Sequence, residues 1–236
     1  MRFLVFILFL VTSVAYSSID IQIIYQRNDA ELKISAKTFE KVISNKYPHA
    51  SISKPELVSD IKFDYNSDTL IVALIVHSNP FPPEVQRFGK LMIFLDDISG
   101  QVDESLINST VLTSGDLLKR IKKHQGRKLV IFEGCYPELL YDKTIPNTTW
   151  MFSSLADQLS LLLVNYGALW LNNVSILLNN KAIKSTSIVN YINKYIYTNS
   201  KIFNNLTVSE EYQFVKNRSN INDQLISKHY GPVFTF

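Results

Sequence analysis

The stretch Lys128-Leu129-Val130-Ile131-Phe132-Glu133-Gly134-Cys135-Tyr136-Pro137 decides how the rest of the chain is read. Its apolar run, Leu129 to Phe132, has no polar alternation, the pattern of a strand buried on both faces in a parallel sheet. Pro137 has no amide proton to donate and closes the ladder. Between run and proline stands Cys135, the single cysteine among 236 residues. A thiol at the carboxyl end of a central parallel strand lies where open α/β sheets carry their chemistry. A lone cysteine is also a small apolar residue that cores accept readily, so the neighbouring sequence has to decide between the two.

Upstream, Thr69 to Val76 is a second uninterrupted apolar strand, and it ends in His77. Ser78-Asn79-Pro80-Phe81-Pro82-Pro83 then leaves the sheet. Lys90 to Leu95 with the turn Ser99-Gly100 predicts an inserted hairpin. Ser114-Gly115-Asp116 opens a basic helix to about His124, with Leu117, Leu118 and Ile121 facing inward. A right-handed crossover makes the two apolar strands parallel, with their carboxyl ends at one edge of the sheet. Neighbouring strands about 4.8 Å apart would let His77 and Cys135 face each other. An imidazole beside a thiol lowers the thiol's effective pKa or takes its proton, which is the requirement for a sulfur nucleophile. Thr149 to Phe152 predicts a third strand at the same edge, delivering Ser153 and Ser154 to line a substrate pocket.

The flanks complete an α/β pattern. Ile19 to Tyr25 alternates as a strand, Ala30 to Tyr47 has helical spacing, and Ala50 to Val58 is a weaker strand broken by Pro55. From Ala156 onward the apolar content predicts helix, and Ser185 to Tyr197 a further helix. The tail is polar, carries aromatics and is closed by Gly231-Pro232.

Met1-Arg2, the apolar run Phe3 to Val11 and the small residues Ser13, Ala15 and Ser17 form a signal peptide over 1–17, cleaved after Ala15 or Ser17. Residues 18–236 then make one α/β domain. The richest later apolar stretch, Leu159 to Val164, is followed by Asn165, Gly167 and Asn172 and falls short of the twenty or so residues a membrane span needs. Five Asn-X-Ser/Thr acceptors, at Asn108, Asn147, Asn173, Asn205 and Asn217, fit the secretory pathway. The endoplasmic reticulum lumen is the expected compartment, with secretion or a lysosome or vacuole as the alternatives. With one cysteine no internal disulfide forms. Hydrophobic residues make up 46% and aromatic residues 12%, enough for a large core, and the net charge is only +3. The basic cluster Lys119 to His124 has no interleaved aromatics, which excludes a nucleic-acid face. His49, His124 and His229 show no metal-ligand spacing, so neither metal nor cofactor is expected.

A strand ending in His, a helical crossover, a strand ending in Glu-Gly-Cys and a third ending in Ser-Ser resemble the caspase-like (clan CD) cysteine peptidases. Within them the chain is most similar to the legumain family, and there to the catalytic subunit of the glycosylphosphatidylinositol-anchor transamidase. The resemblance is carried by Leu117 to Ser160. Glu133 matches the acidic position two before the cysteine, and Ser153-Ser154, Asp157 and Ser160 match the Ser-Ser-x-x-Asp-x-x-Ser spacing. It implies a three-layer α/β/α fold around a mostly parallel sheet. It implies further that Cys135 and His77 are catalytic, that the backbone N–H groups of Ser78 and Cys135 form the oxyanion hole, and that Glu133 with Ser153 and Ser154 binds substrate. The family carries glycine after its histidine, where this chain has Ser78. Its basic pocket residues near the first strand have Arg27 as their one counterpart here. The implied substrate is a polypeptide, and the implied partners are other subunits of a membrane-bound transamidase complex. Two alternatives stand beside this one. One is a legumain-like asparaginyl endopeptidase; the other is an inactive caspase-like scaffold or binding domain.

Overall fold

The computed structural model describes residues 17–96, 109–158, 160–163, 165–179, 182–196 and 226–236, without the side chains of 84–86. Its centre is a six-stranded sheet in the order β11-β8-β7-β3-β1-β2. Here β1 is Ile19–Tyr25, β2 Ser51–Ser53, β3 Thr69–Ile75, β7 Arg127–Glu133, β8 Thr148–Phe152 and β11 Lys228–Tyr230. The first five in chain order are parallel, and β11 alone runs antiparallel, against β8.

Strands β3 and β7 occupy the middle, and this is why their sequences lack alternation: both faces are covered. One face packs on α1 (Ala30–Lys46), α3 (Leu169–Leu178) and α4 (Ser185–Tyr191), where Phe39, Ile43, Trp170 and Ile188 meet Ile71, Ala73, Leu129 and Ile131. The other packs on α2 (Ser114–Lys123), whose Leu117 and Ile121 meet Leu70, Val72, Val130 and Phe132. The result is three layers, helix on sheet on helix.

β1 matches its expected range, but its polar residues do not face water. Asp20 and Gln22 are buried; Gln22 Nε2 donates to Asp20 Oδ1 at 2.9 Å and to the Lys62 carbonyl at 3.0 Å. Asp20 Oδ2 accepts from the Asp64 amide at 2.8 Å.

The expected hairpin around Lys90 is one strand larger. β4 (His77–Pro80), β5 (Leu91–Phe94) and β6 (Val111–Thr113) form a small antiparallel sheet, so Ser78 to Pro80 is a strand rather than an exit loop. The amide of Phe81 donates to the Lys90 carbonyl at 3.0 Å. In an antiparallel ladder bonded pairs alternate, so Pro80↔Leu91 is a non-bonded pair and the missing N–H of Pro80 costs nothing. The turn Ser99-Gly100 lies outside the described residues.

The helix expected from Ala156 begins only at Leu169. Asn165 and Gly167 adopt positive φ, 61° and 90°, and fold the intervening chain into a short hairpin, β9 (Leu162–Leu163) against β10 (Gly167–Ala168). Helix α4 continues past Tyr191 into a wider turn over Ile192–Ile196. Among the described residues no helix is long and apolar enough to cross a membrane. The expected signal peptide falls outside the described residues up to residue 16.

Candidate active site

Register brings the two reactive side chains together. Strands β3 and β7 pair without a break from Thr69↔Arg127 to Ile75↔Glu133. The Val76 amide extends the ladder by donating to the Glu133 carbonyl at 3.1 Å. His77 and Cys135 each stand two residues beyond that last pair. The half-buried Cys135 thiol is near enough to the imidazole to raise its pKa.

A third group holds the ring from the other side. Asp29 ends the turn after β1 and caps α1: one carboxylate oxygen accepts from the Leu32 amide at 2.7 Å. The other lies 3.0 Å from His77 Nε2. Burial opposes charge on the imidazole, but Asp29 and Cys135 outweigh it and lift the pKa of His77 to about 10. Burial also opposes charge on Asp29, yet His77 and the Leu32 amide hold its carboxyl below the ordinary value. The His77 amide is itself anchored, donating to Gln26 Oε1 at 3.3 Å. Sequence reasoning does not single out Asp29, because an aspartate before a helix is already explained as its N-cap. The signal for a second role was its place after β1, at the same sheet edge as His77 and Cys135.

The turn that carries Cys135 is pinned on several sides. Ser153 Oγ accepts from the Gly134 amide at 3.4 Å and lies 3.3 Å from the Gly134 carbonyl. The Tyr136 amide donates to the Gln158 carbonyl at 2.8 Å, and Ser78 Oγ donates to the Cys135 carbonyl. The Cys135 amide has no acceptor among the described residues. By the alternation that spares Pro80, Ser78↔Ile93 is also a non-bonded pair, which turns the Ser78 N–H away from β5. Both expected oxyanion donors are thus outside the ladders. Farther along, Glu138 accepts from the Ala156 amide at 3.0 Å and from the Tyr230 hydroxyl, bracing the turn against β11.

The expected substrate-binding residues lie beneath this turn. Glu133, Ser153 and Ser154 are all 0% exposed. The Glu133 carboxylate accepts from the Leu171 amide at 3.0 Å, near the start of α3, and from the Ser160 hydroxyl. Burial pushes its pKa up to about 8. Glu133 therefore links β7 to α3 and is fully buried. Ser153 supports Gly134, and Ser154 Oγ donates to the Gln158 carbonyl at 3.3 Å. Arg27 is turned toward the β2 side, donating to the Lys54 carbonyl at 3.1 Å and pairing with Glu56. Asp157 is exposed in the turn before Ser160. Among the described residues no group of three or more His, Cys, Asp or Glu could hold a metal ion. Of the glycosylation acceptors, Asn147 is exposed in the turn before β8, and Asn173 is half-buried on α3. Asn108, Asn205 and Asn217 lie outside the described residues.

An imidazole with a thiol beside it, an acid fixing the ring, a Ser78 N–H outside the β4–β5 ladder and a Cys135 N–H with no acceptor among the described residues form the set that acyl transfer through sulfur requires. No protein-family model matches the sequence, and no curated protein matches it. In three dimensions the chain is similar to caspase-1 from Spodoptera frugiperda, seen in a crystal structure. The match covers 92% of this chain and 86% of that one, at 10% identity and a TM-score of 0.59. The chain has the caspase-like α/β/α fold with a mostly parallel central sheet.

Proposed function

We propose that this chain is a cysteine-dependent acyl-transfer enzyme acting on a polypeptide. The observation that carries the reading is His77, bonded to Asp29 and standing opposite Cys135 at the ends of paired strands. Sγ of Cys135 attacks the carbonyl carbon of the substrate amide, and the carbonyl π electrons move to oxygen, facing the N–H groups of Cys135 and Ser78. The C–N bond breaks as the His77 imidazolium gives its proton to the departing amine, leaving a thioester on Cys135. Neutral His77 then takes a proton from the incoming nucleophile, which expels the thiolate.

The nucleophile distinguishes a peptidase, which uses water, from a transamidase, which uses an amine. Glu133-Gly134-Cys135 and Ser153-Ser154 with Asp157 and Ser160 support the transamidase branch of the legumain family. On that reading the acceptor is the amine of a lipid anchor, the partners are subunits of a membrane-bound complex, and the compartment is the endoplasmic reticulum lumen. A legumain-like asparaginyl endopeptidase would run the same first half-reaction. A scaffold without turnover is favoured by one observation, the complete burial of Glu133.

The test is an Asn-directed, thiol-reactive peptide probe applied to purified protein. Wild type is expected to be labelled at Cys135, Cys135→Ala not at all, and His77→Ala at least about a hundredfold more slowly. An unlabelled wild type, or labelling that survives in Cys135→Ala, sinks the enzyme reading. Added hydroxylamine, if it raises turnover of a peptide substrate, assigns the transamidase branch.

A further inference from the structure

We propose that the Ser78 hydroxyl is a latch that positions the nucleophile by tying the strand of His77 to the peptide group of Cys135; this rests on the enzyme reading above. Ser78 stands where the family the chain resembles carries glycine, so its side chain adds a hydroxyl that such a site does without. That side chain is 2% exposed and donates to the Cys135 carbonyl. Gly134 lies against it, since a Cβ built there would lie 3.2 Å from Ser78 Oγ.

The turn needs such a tie. Tyr136 follows the nucleophile with φ 55° and ψ 34°, a left-handed conformation that costs a non-glycine residue on the order of 1 kcal/mol or more. The peptide group between Cys135 and Tyr136 is held at both ends, its oxygen by Ser78 Oγ and its N–H by the Gln158 carbonyl at 2.8 Å. The preceding peptide group, which contains the Cys135 N–H, is held by Ser153 Oγ at 3.3 Å from the Gly134 carbonyl. Releasing the Ser78 end lets the Cys135 peptide rotate, moving the thiol relative to the His77 ring and the Cys135 N–H relative to the developing oxyanion. Neither change removes a contact to bound substrate. The loss therefore falls on kcat rather than KM.

The experiment compares full-length wild type with Ser78→Ala, Ser78→Gly and Ser78→Thr, with kcat expressed per probe-titrated thiol so that misfolded protein is not counted. Ser78→Ala and Ser78→Gly are expected to lower kcat about tenfold with KM within about twofold, as for loss of one buried hydrogen bond. Ser78→Thr, which keeps the hydroxyl, is expected to retain at least about half of wild-type kcat. A kcat for Ser78→Ala within about twofold of wild type, or a loss confined to KM, overturns the latch alone. An unreactive wild-type thiol overturns the enzyme reading and the latch with it.

Discussion

Asp29 places one carboxylate oxygen on the first turn of α1 and the other on the His77 ring, so a single side chain serves folding and chemistry. The two roles separate in Asp29→Asn, which keeps a capping oxygen and loses the charge. His77 has its folded pKa raised from 6.5 to about 10, so its stabilisation is complete below pH 6.5 and is lost as pH rises through about 10. Asp29 has its folded pKa lowered from 3.8, so its share is present above that value and is lost as pH falls through the lower one. Urea unfolding is expected to show the largest gap between wild type and Asp29→Asn from about pH 4 to 6.5, closing toward pH 10. A gap that is flat across that range counts against the ion pair. The strand-end positions of His77 and Cys135 were legible in the sequence because each closely follows an apolar run. Asp29 was not, because its pairing with His77 depends on where the chain turns after β1.

At the level of elements, β3, β7 and β8 were legible because burial on two faces leaves an unbroken apolar run, and β1, α1 and α2 because their apolar residues recur at strand or helix spacing. The β9–β10 hairpin was hidden inside the leucine run at 159–163, since apolar content does not distinguish helix from short strand. Gly134 shows how tightly the elements meet: a Cβ there would lie 2.5 Å from the Val76 carbonyl and 2.7 Å from Phe132 Cε2. The carbonyl belongs to backbone fixed by the β3–β7 ladder, so it has nowhere to go. Gly134→Ala is expected to lower the unfolding free energy by roughly 1–3 kcal/mol in urea titration and to abolish probe labelling. Wild-type stability in that variant would show that the two strands can spread.

Over the whole molecule, the parallel sheet followed from strands without alternation and the α/β/α layering from the resemblance to caspase-like peptidases, but which helix covers which face depended on contacts between distant segments. The same layering sorts the glycosylation acceptors. Asn147 is exposed at the start of β8, the edge remote from Cys135, whereas Asn173 Nδ2 donates to the Leu169 carbonyl at 2.8 Å on half-buried α3. Expressed in a glycosylating secretory host, the protein is expected to lose one glycan in Asn147→Gly, a change suited to the φ of 54° there. Asn173→Gln is expected to leave the glycan pattern unchanged on an enzymatic deglycosylation gel. The reverse pattern would place α3 differently.

The pairing of β3 with β7 has a consequence for descent. Because His77 and Cys135 are both counted from the pair Ile75↔Glu133, the distance between them is set by strand register and not by the length of chain that joins them. Insertions, deletions and wholesale replacement of the connecting segment can accumulate without moving one group relative to the other. Sequence can therefore change widely around this pair of strands while His77 and Cys135 keep their places at one edge of the sheet.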